Sequence, residues 1–323
     1  MRSFIKSRWF VPALAVVLAF LAPLFLKVVQ TRMLDEIVYF SLFAISFNLL
    51  FGYAGLLSFG HAAFFGLGAY TTAILLSHVS GMPLLLSILA GGVVACLGGF
   101  IIGYFCIRRK KGYFVLLTMA FNQLLWAVAW KWRGLTGGDD GIGGFLPASL
   151  NLGITSVDLT NTGAMHSLIL AFFVVCVFLI WCFLRTPFGN TIRAIKDNGE
   201  RPAFLGYNVN FAKLVVFGIA AFFAGISGSL FALFQDFVAT NVVDGKMSIQ
   251  VILMTFLGGT QSFFGPILGA AIYVYFYDWI SSLTDRWEFF MGMLFIALVL
   301  YCHGGAIGLI PKRLRSIFAS PRD

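Results

Sequence analysis

Ser58 and His61 are the polar residues of this chain best placed to do chemistry, because both lie in a glycine-rich stretch. The stretch covers Gly52–Tyr70, reads GYAGLLSFGHAAFFGLGAY and separates two apolar runs that would otherwise form one long membrane segment. Glycine lets the backbone leave helical geometry, and within a bilayer irregular backbone persists only where protein or a water-filled cavity satisfies its amide groups. We therefore expect a path or a binding surface here.

A helix that begins near Gly60 would have free backbone amides at its N-terminus. Such amides and the positive end of the helix dipole favour an anion, so they suit a substrate carboxylate in transit. In this hypothesis Ser58 caps the helix and His61 hydrogen-bonds across helices. The alternative is that Ser58 only caps and His61 only packs.

A second apolar region, Ile249–Trp279, is interrupted by LGGTQSFFGP at Leu257–Pro266. Paired interruptions in the two halves of a transporter mark its substrate route. The internal similarity between FFGLGAY and FFGPILGAAIY needs a gap and is weak evidence of duplication. The pathway candidates are Asn48, Gly55, Ser58, Gly60, His61, Tyr70, Asn122, Gly258 and Gly259.

Metal, nucleotide and enzyme chemistry each lack a matching pattern. The acidic hexad TGGDDG at Thr136–Gly141 lacks the further oxygens and closing glutamate of an EF-hand, so we interpret it as a surface turn. The pair Gly245-Lys246 is followed by Met247, so it does not form a P-loop. The five cysteines form no Cys-x-x-Cys pair. We expect no metal, no cofactor and no catalytic constellation in this chain.

The composition indicates a polytopic membrane protein. Hydrophobic residues make up 60% of the 323 residues and charged residues 11%, against roughly 45–50% and about 25% in a typical soluble domain. We expect an all-α protein with about nine or ten membrane helices, some broken or re-entrant. The whole chain, 1–323, then forms a single transmembrane domain.

Basic residues predict the orientation of the chain. The net charge of +9 comes from residues in short loops between apolar spans, where they set topology, so nucleic acid is not an expected partner. The run Trp9–Leu26 lacks a small-x-small cleavage site, which favours an uncleaved first helix over a signal peptide. We therefore expect a multi-pass protein of the cytoplasmic (inner) membrane with both termini in the cytoplasm.

The predicted spans carry no charged residue deep inside, since the second span is expected to begin at about Ile37 and Asp278 lies near a helix end. Ion-coupled carriers usually need an intramembrane ionisable group. An ion-coupled secondary carrier and a non-transporting scaffold stay open as alternatives, but the sequence favours a transport protein whose energy comes from elsewhere.

The sizeable polar stretch on the predicted cytoplasmic side is Arg185–Lys213. Pro187 lies near a plausible helix start, and Thr191–Asn198 has isoleucines on one side and charges on the other. This pattern predicts a short amphipathic helix at the membrane surface, followed by a second turn of structure after Pro202. Its glycines favour a shaped docking element over a lipid-facing anchor helix.

Five segments carry a family resemblance. They are GLLSFGHAAFFGLGAY, YFVLLTMAFNQLLW, TPFGNTIRAIKDN, ALFQ and LGGTQSFFGPILGA, in this order along nearly the whole chain. They resemble the inner-membrane permease subunits of branched-chain amino-acid ABC importers of the LivM type. Ser58, Gly60 and His61 match the Ser-x-Gly-His signature of that family. One departure is GERPA at Gly199–Ala203, where the family often has an acidic residue directly before an alanine-rich helix.

The resemblance implies an ABC-importer permease fold and a set of partners. These are a homologous second permease, two cytoplasmic ATPase subunits that bind ATP and magnesium, and a periplasmic or surface binding protein that delivers leucine, isoleucine or valine. Membrane lipids surround the complex. Cargo of related importers, such as urea, short amides or other amino acids, stays open. The residues implied in ATPase coupling are Pro187, Phe188, Gly189, Arg193, Ala194, Asn198, Glu200 and Gly206.

Overall fold

The computed structural model describes residues 19–23, 25–79, 81–109, 111–146, 149–151, 156–158, 161–301 and 305–309. Most of the expected first helix, Trp9–Leu26, lies outside the described residues, as does the basic segment near Lys312.

The described chain is almost entirely helical. In chain order its α-helices are α1 Val28–Asn48, α2 His61–His78, α3 Leu84–Cys106, α4 Lys111–Lys131, α5 Arg133–Thr136, α6 Thr162–Arg185, α7 Pro187–Asp197, α8 Glu200–Phe204, α9 Val209–Gln235, α10 Gly245–Gly258, α11 Gly265–Ser281, α12 Trp287–Tyr301 and α13 Ala306–Leu309.

Five helical stretches of the described residues are long and apolar enough to cross a membrane. They are Val28–Tyr53, Leu84–Cys106, Gly112–Lys131, Thr162–Arg185 and Val209–Gln235. Shorter apolar helices lie at Gly245–Gly258 and Trp287–Ala297. The protein is therefore an all-α polytopic membrane protein, as expected.

Two small antiparallel strand pairs are formed by the connection between α5 and α6 and the segment after α9. Strand β1, Ile142–Gly143, pairs with β4, Phe237–Val238, and β2, Ser149–Asn151, pairs with β3, Ser156–Asp158. These strands were not predicted from the sequence, because strands of two or three residues have no period to detect. The TGGDDG segment is a turn, in which Gly137 has a φ of 74°.

Helices α2, α3 and α9 pack closely against one another. The Ser229 hydroxyl of α9 donates to the carbonyl oxygen of Gly68 at 3.2 Å. A Cβ added to Gly99 would lie 3.4 Å from the Cα atom of Gly218, and nearer still to Ala221. The helix-packing face of α3 consists of buried small residues at four-residue intervals, which let backbones approach closely: Gly91, Ala95, Gly99 and Gly103.

The second interrupted region forms a hairpin. Helices α10 and α11 run antiparallel, because Gly258 lies against Gly265 while Met254 lies against Gly269. Between them, residues 259–264 are not helical. The predicted interruption at Leu257–Pro266 is confirmed, and we call residues 259–264 the second interruption.

The expected start of the second span at Ile37 is wrong, since α1 begins at Val28. Asp35 therefore lies within this helix and is buried, with its Oδ1 atom 2.6 Å from Nδ1 of His166 on α6. Nε2 of His166 donates to the Ala19 carbonyl oxygen at 2.9 Å. Pairing lowers the cost of burying a polar group, which is why the helix extends past the apolar run that the sequence showed.

Candidate functional site

The chain remains helical after Asn48, the last residue of α1. It continues through one π-helical turn, Leu49–Tyr53. The Gly55 amide then donates to the Phe51 carbonyl at 3.2 Å and the Leu56 amide to Leu50 at 2.9 Å, with Gly55 at a φ of 69°. Glycine adopts this left-handed backbone without a Cβ penalty, so the helix stops here.

The first interruption, as we call Gly52–Gly60, ends where α2 begins at His61. A Cβ added to Gly60 would lie 2.8 Å from the carbonyl carbon of Thr118, so only glycine allows this approach to α4. The Phe59 amide donates to the Thr118 hydroxyl at 3.2 Å. Helix α4 therefore holds the end of the first interruption in place.

The cap of α2 comes from α10. The Ala62 amide donates to the hydroxyl of Ser248 at 3.0 Å, whereas the Ser58 hydroxyl accepts from the Gly60 amide at 3.3 Å. The prediction that Ser58 caps the helix is wrong, because Gly60 is the N-cap residue and Ser58 precedes it by two positions. Of the amides expected to be free, those of Gly60 and Ala62 thus donate to hydroxyl groups of the chain.

His61 is fully buried and bonded across helices, as hypothesised. Its Nε2 atom lies 2.9 Å from the hydroxyl of Ser46 on α1. That hydroxyl donates to the Phe43 carbonyl at 2.7 Å, so it accepts from His61, whose Nε2 carries the proton. Phe43 stacks on the imidazole at 5.4 Å, and the rings of Phe47 and Phe64 lie beside it.

The two interruptions touch each other. The side-chain amide of Asn48, which is buried, donates to the Ser262 carbonyl at 3.3 Å. A Cβ added to Gly52 would lie 2.6 Å from the Thr260 carbonyl oxygen. Gly259 has a φ of 104°, which only glycine adopts easily. The structure therefore brings Asn48 and Gly52 against the second interruption, which begins at Gly259, while Gly258 packs on Gly265 within the hairpin.

Asn122 and Tyr70 lie apart from that contact. Asn122 donates to the Val243 carbonyl at 2.9 Å and so holds the short helical turn Thr240–Val243 against α4. Tyr70 lies about 2.5 turns beyond His61 on α2. Its buried hydroxyl has no hydrogen-bond partner among the described residues.

The amphipathic helix of the polar stretch is confirmed as α7. The Thr186 hydroxyl accepts from the Gly189 amide at 3.2 Å, and Pro187 occupies the first helical position. The predicted second turn is α8, which begins at Glu200 and not after Pro202. Proline is tolerated in the first turn of a helix because its missing N–H has no partner there anyway.

The coupling candidates divide into two groups. Pro187, Ala194, Asn198, Glu200 and Gly206 are exposed. Phe188, which is half-buried, contacts the ring of Phe183 at 5.8 Å. The inward group faces its own chain: Gly189 lies against Leu184, and the guanidinium of Arg193 lies 5.1 Å from the ring centre of Tyr53.

Several residues of this region were not predicted from the sequence. Lys196 donates from Nζ to the Gly52 carbonyl at 2.5 Å, and its place one turn after Arg193 was the available signal. Thr118 and Ser248 were visible only as isolated polar residues in apolar helices. No group of three or more potential metal ligands occurs within the described part of the chain.

Comparison with known proteins gives consistent matches. Residues 30–299 match the family model described as "Branched-chain amino acid transport system / permease component". The chain is 25% identical to "High-affinity branched-chain amino acid transport system permease protein LivM" of Salmonella typhimurium and to that of Escherichia coli, each over 97% of this chain and 78% of the relative. It is 24% identical to "Probable branched-chain amino acid transport permease protein LivM" of Methanocaldococcus jannaschii, over 72% and 75%. No solved structure matches.

Proposed function

The chain belongs to the family of branched-chain amino acid transport system permease components, and from this premise we propose its function. It is the membrane-spanning permease subunit of an ATP-driven importer. It translocates branched-chain amino acids that an extracytoplasmic binding protein delivers.

The observation that carries the proposal is the contact between the two interruptions. Gly52 of the first interruption packs against the Thr260 carbonyl of the second. Asn48 and Ser262 are 214 positions apart in the sequence, yet their hydrogen bond joins the last residue of α1 to the same second interruption. Irregular backbone at such a place is expected where a substrate route passes. We place the route alongside this contact.

The surroundings of His61 support an amino acid with an apolar side chain as cargo. Three phenylalanine rings contact its imidazole, and the amides of Gly60 and Ala62 lie nearby. In the conformation described, these amides donate hydrogen bonds to the hydroxyl groups of Ser58 and Ser248. Passage of substrate therefore requires α2 and α10 to part at the bond between Ala62 and Ser248.

The partners follow from the same proposal. The exposed residues of α7 and α8 form the contact with two ATPase subunits, which bind ATP and magnesium, because the chain has no P-loop of its own. A homologous permease completes the membrane part. The distribution of basic residues supports a cytoplasmic position for α7 and both termini, and so a location in the cytoplasmic membrane.

Uptake into proteoliposomes tests the proposal. The complex, purified through a tag on this chain, is reconstituted with its binding protein, and uptake of labelled leucine, isoleucine and valine is measured with urea and acetamide as competitors. We expect uptake that needs both ATP and the binding protein and that an ionophore leaves unchanged.

Two results would overturn the proposed function. Uptake that collapses with the ionophore while ATP remains would identify an ion-coupled carrier. A binding protein that retains urea or acetamide and does not retain the branched-chain amino acids would identify a different cargo.

A further inference from the structure

Helix α7 contacts the first interruption through two cationic side chains. Arg193 and Lys196 are three positions apart, so they lie on the same side of the helix. The guanidinium of Arg193 lies over the ring of Tyr53, and Nζ of Lys196 reaches the carbonyl oxygen of Gly52. Both contacts fall on the π-helical turn that ends α1.

Lys196 completes the hydrogen bonding of that helix end. The carbonyl groups of Leu50 and Phe51 accept from the amides of Leu56 and Gly55, which follow them in the chain. The Gly52 carbonyl accepts from the Lys196 ammonium instead. A cation is favourable at this place, because the last carbonyl groups of a helix lack partners and carry the negative end of its dipole.

The aliphatic part of Lys196 contacts the same segment. A Cβ added to Gly55 would lie 3.1 Å from Cγ of Lys196 and 3.7 Å from its Cβ. Gly55 therefore leaves space for the lysine side chain, while the ammonium group binds one turn earlier. The ammonium group of Lys196 thus binds Gly52, and its aliphatic part packs on Gly55, so one residue contacts the helix end at two points.

The other end of α7 is fixed to α6. The cap at Thr186 and the close packing of Gly189 on Leu184 leave little freedom between the two helices. Ile192 and Ile195 are the buried isoleucines of α7 and lie on its inward side. A force on the exposed residues of α7 is therefore transmitted by the helix as a unit to its contact with Gly52.

We propose that Lys196 is the positioning residue through which a displacement of α7 reaches the first interruption and, through it, the start of α2 at His61. This inference rests on the proposed function, because it assumes that ATPase subunits displace α7. The contact itself does not depend on that assumption and is tested separately.

A disulfide test addresses the contact. The 3.7 Å separation of the two Cβ positions suits a disulfide, for which about 3.5–4.5 Å is usual. In a chain whose native cysteines are replaced by serine, Gly55→Cys with Lys196→Cys should form an intrachain bond on oxidation, detected by mass spectrometry of the peptides.

The matched control is Gly206→Cys with Lys196→Cys. Gly206 also has a positive φ, of 84°, but a Cβ there would have nothing within 4 Å. We expect no bond in this pair. Failure of the Gly55 pair to cross-link, or equal cross-linking of both pairs, would overturn the contact.

Substitutions of Lys196 test the transmission. Lys196→Met keeps the stem and removes the ammonium group, so ATPase subunits should remain bound and hydrolyse ATP. Uptake per ATP hydrolysed should fall about tenfold, as expected for the loss of a favourable charge–dipole contact. Lys196→Arg should restore most of the ratio. Lys131→Met, an equal loss of charge at an exposed position at the end of α4, should leave the ratio unchanged.

Each outcome is informative. An unchanged ratio in Lys196→Met would overturn the inference, and so would loss of the ATPase subunits from that variant, since Lys196 would then belong to the subunit contact. If the unmodified protein itself shows no ATP-driven uptake, the proposed function fails, and the disulfide result still decides whether Lys196 contacts the first interruption.

Discussion

Gly52 lies where the two interruptions touch, and Gly52→Ala should force them apart. The added Cβ would lie 2.6 Å from the Thr260 carbonyl oxygen and 2.8 Å from Cγ of Asn48, whereas ordinary contacts are 3.4 Å or longer. Asn48 can rotate away only by giving up its bond to Ser262. The Thr260 carbonyl belongs to the backbone, so it moves only with the second interruption, by at least the missing 0.8 Å.

Overpacking of this kind costs about 1–3 kcal/mol. We expect a lower melting temperature of the purified complex in detergent and slower uptake in proteoliposomes. The matched control is Gly112→Ala on α4, where a Cβ would have nothing within 4 Å. If Gly52→Ala melts and transports like Gly112→Ala, the two interruptions do not pack as described.

Substitutions at Asp35 and Glu288 test the two charged pairs. Nε2 of His166 donates to a carbonyl oxygen, so Nδ1 can accept a hydrogen bond from a side-chain amide. The melting temperature of Asp35→Asn should therefore be close to that of the unmodified protein. Asp35→Leu leaves Nδ1 buried without a partner, at a cost of about 1–3 kcal/mol, and equal melting of the two variants would contradict the pairing. Glu288→Gln removes an exposed ion pair with Lys246 and should leave the melting temperature unchanged, because solvent screens such pairs. A clear drop would show that the pair is shielded in the complex.

The sequence was sufficient for features that depend on neighbouring residues. Glycines predicted both interruptions, since they weaken a helix wherever they cluster. Pro187 and the spacing of Ile192 and Ile195 predicted α7, because they set a start and a buried side within eleven residues. The start of α1 was misplaced because hydropathy counts Asp35 as polar whether or not it has a partner.

The partners of buried polar groups could not be predicted in this way. Ser58 was the natural cap for α2 from its position, yet Ser248, 186 residues away from Ala62, supplies the hydroxyl. Lys196 lies 144 residues from Gly52. Such pairs depend on which helix faces which, and local sequence does not contain that information.

The sequence by itself thus determined that this chain spans a membrane, that two of its apolar segments are broken and that an amphipathic helix follows Arg185. These properties arise from the hydrophobicity and backbone freedom of residues close together in the chain. Only the tertiary structure decided that the two breaks touch, that Ser248 caps α2 and that Lys196 binds Gly52. In an interior without water every backbone amide and carbonyl needs a protein partner, and the packing of the helices decides which side chain reaches it.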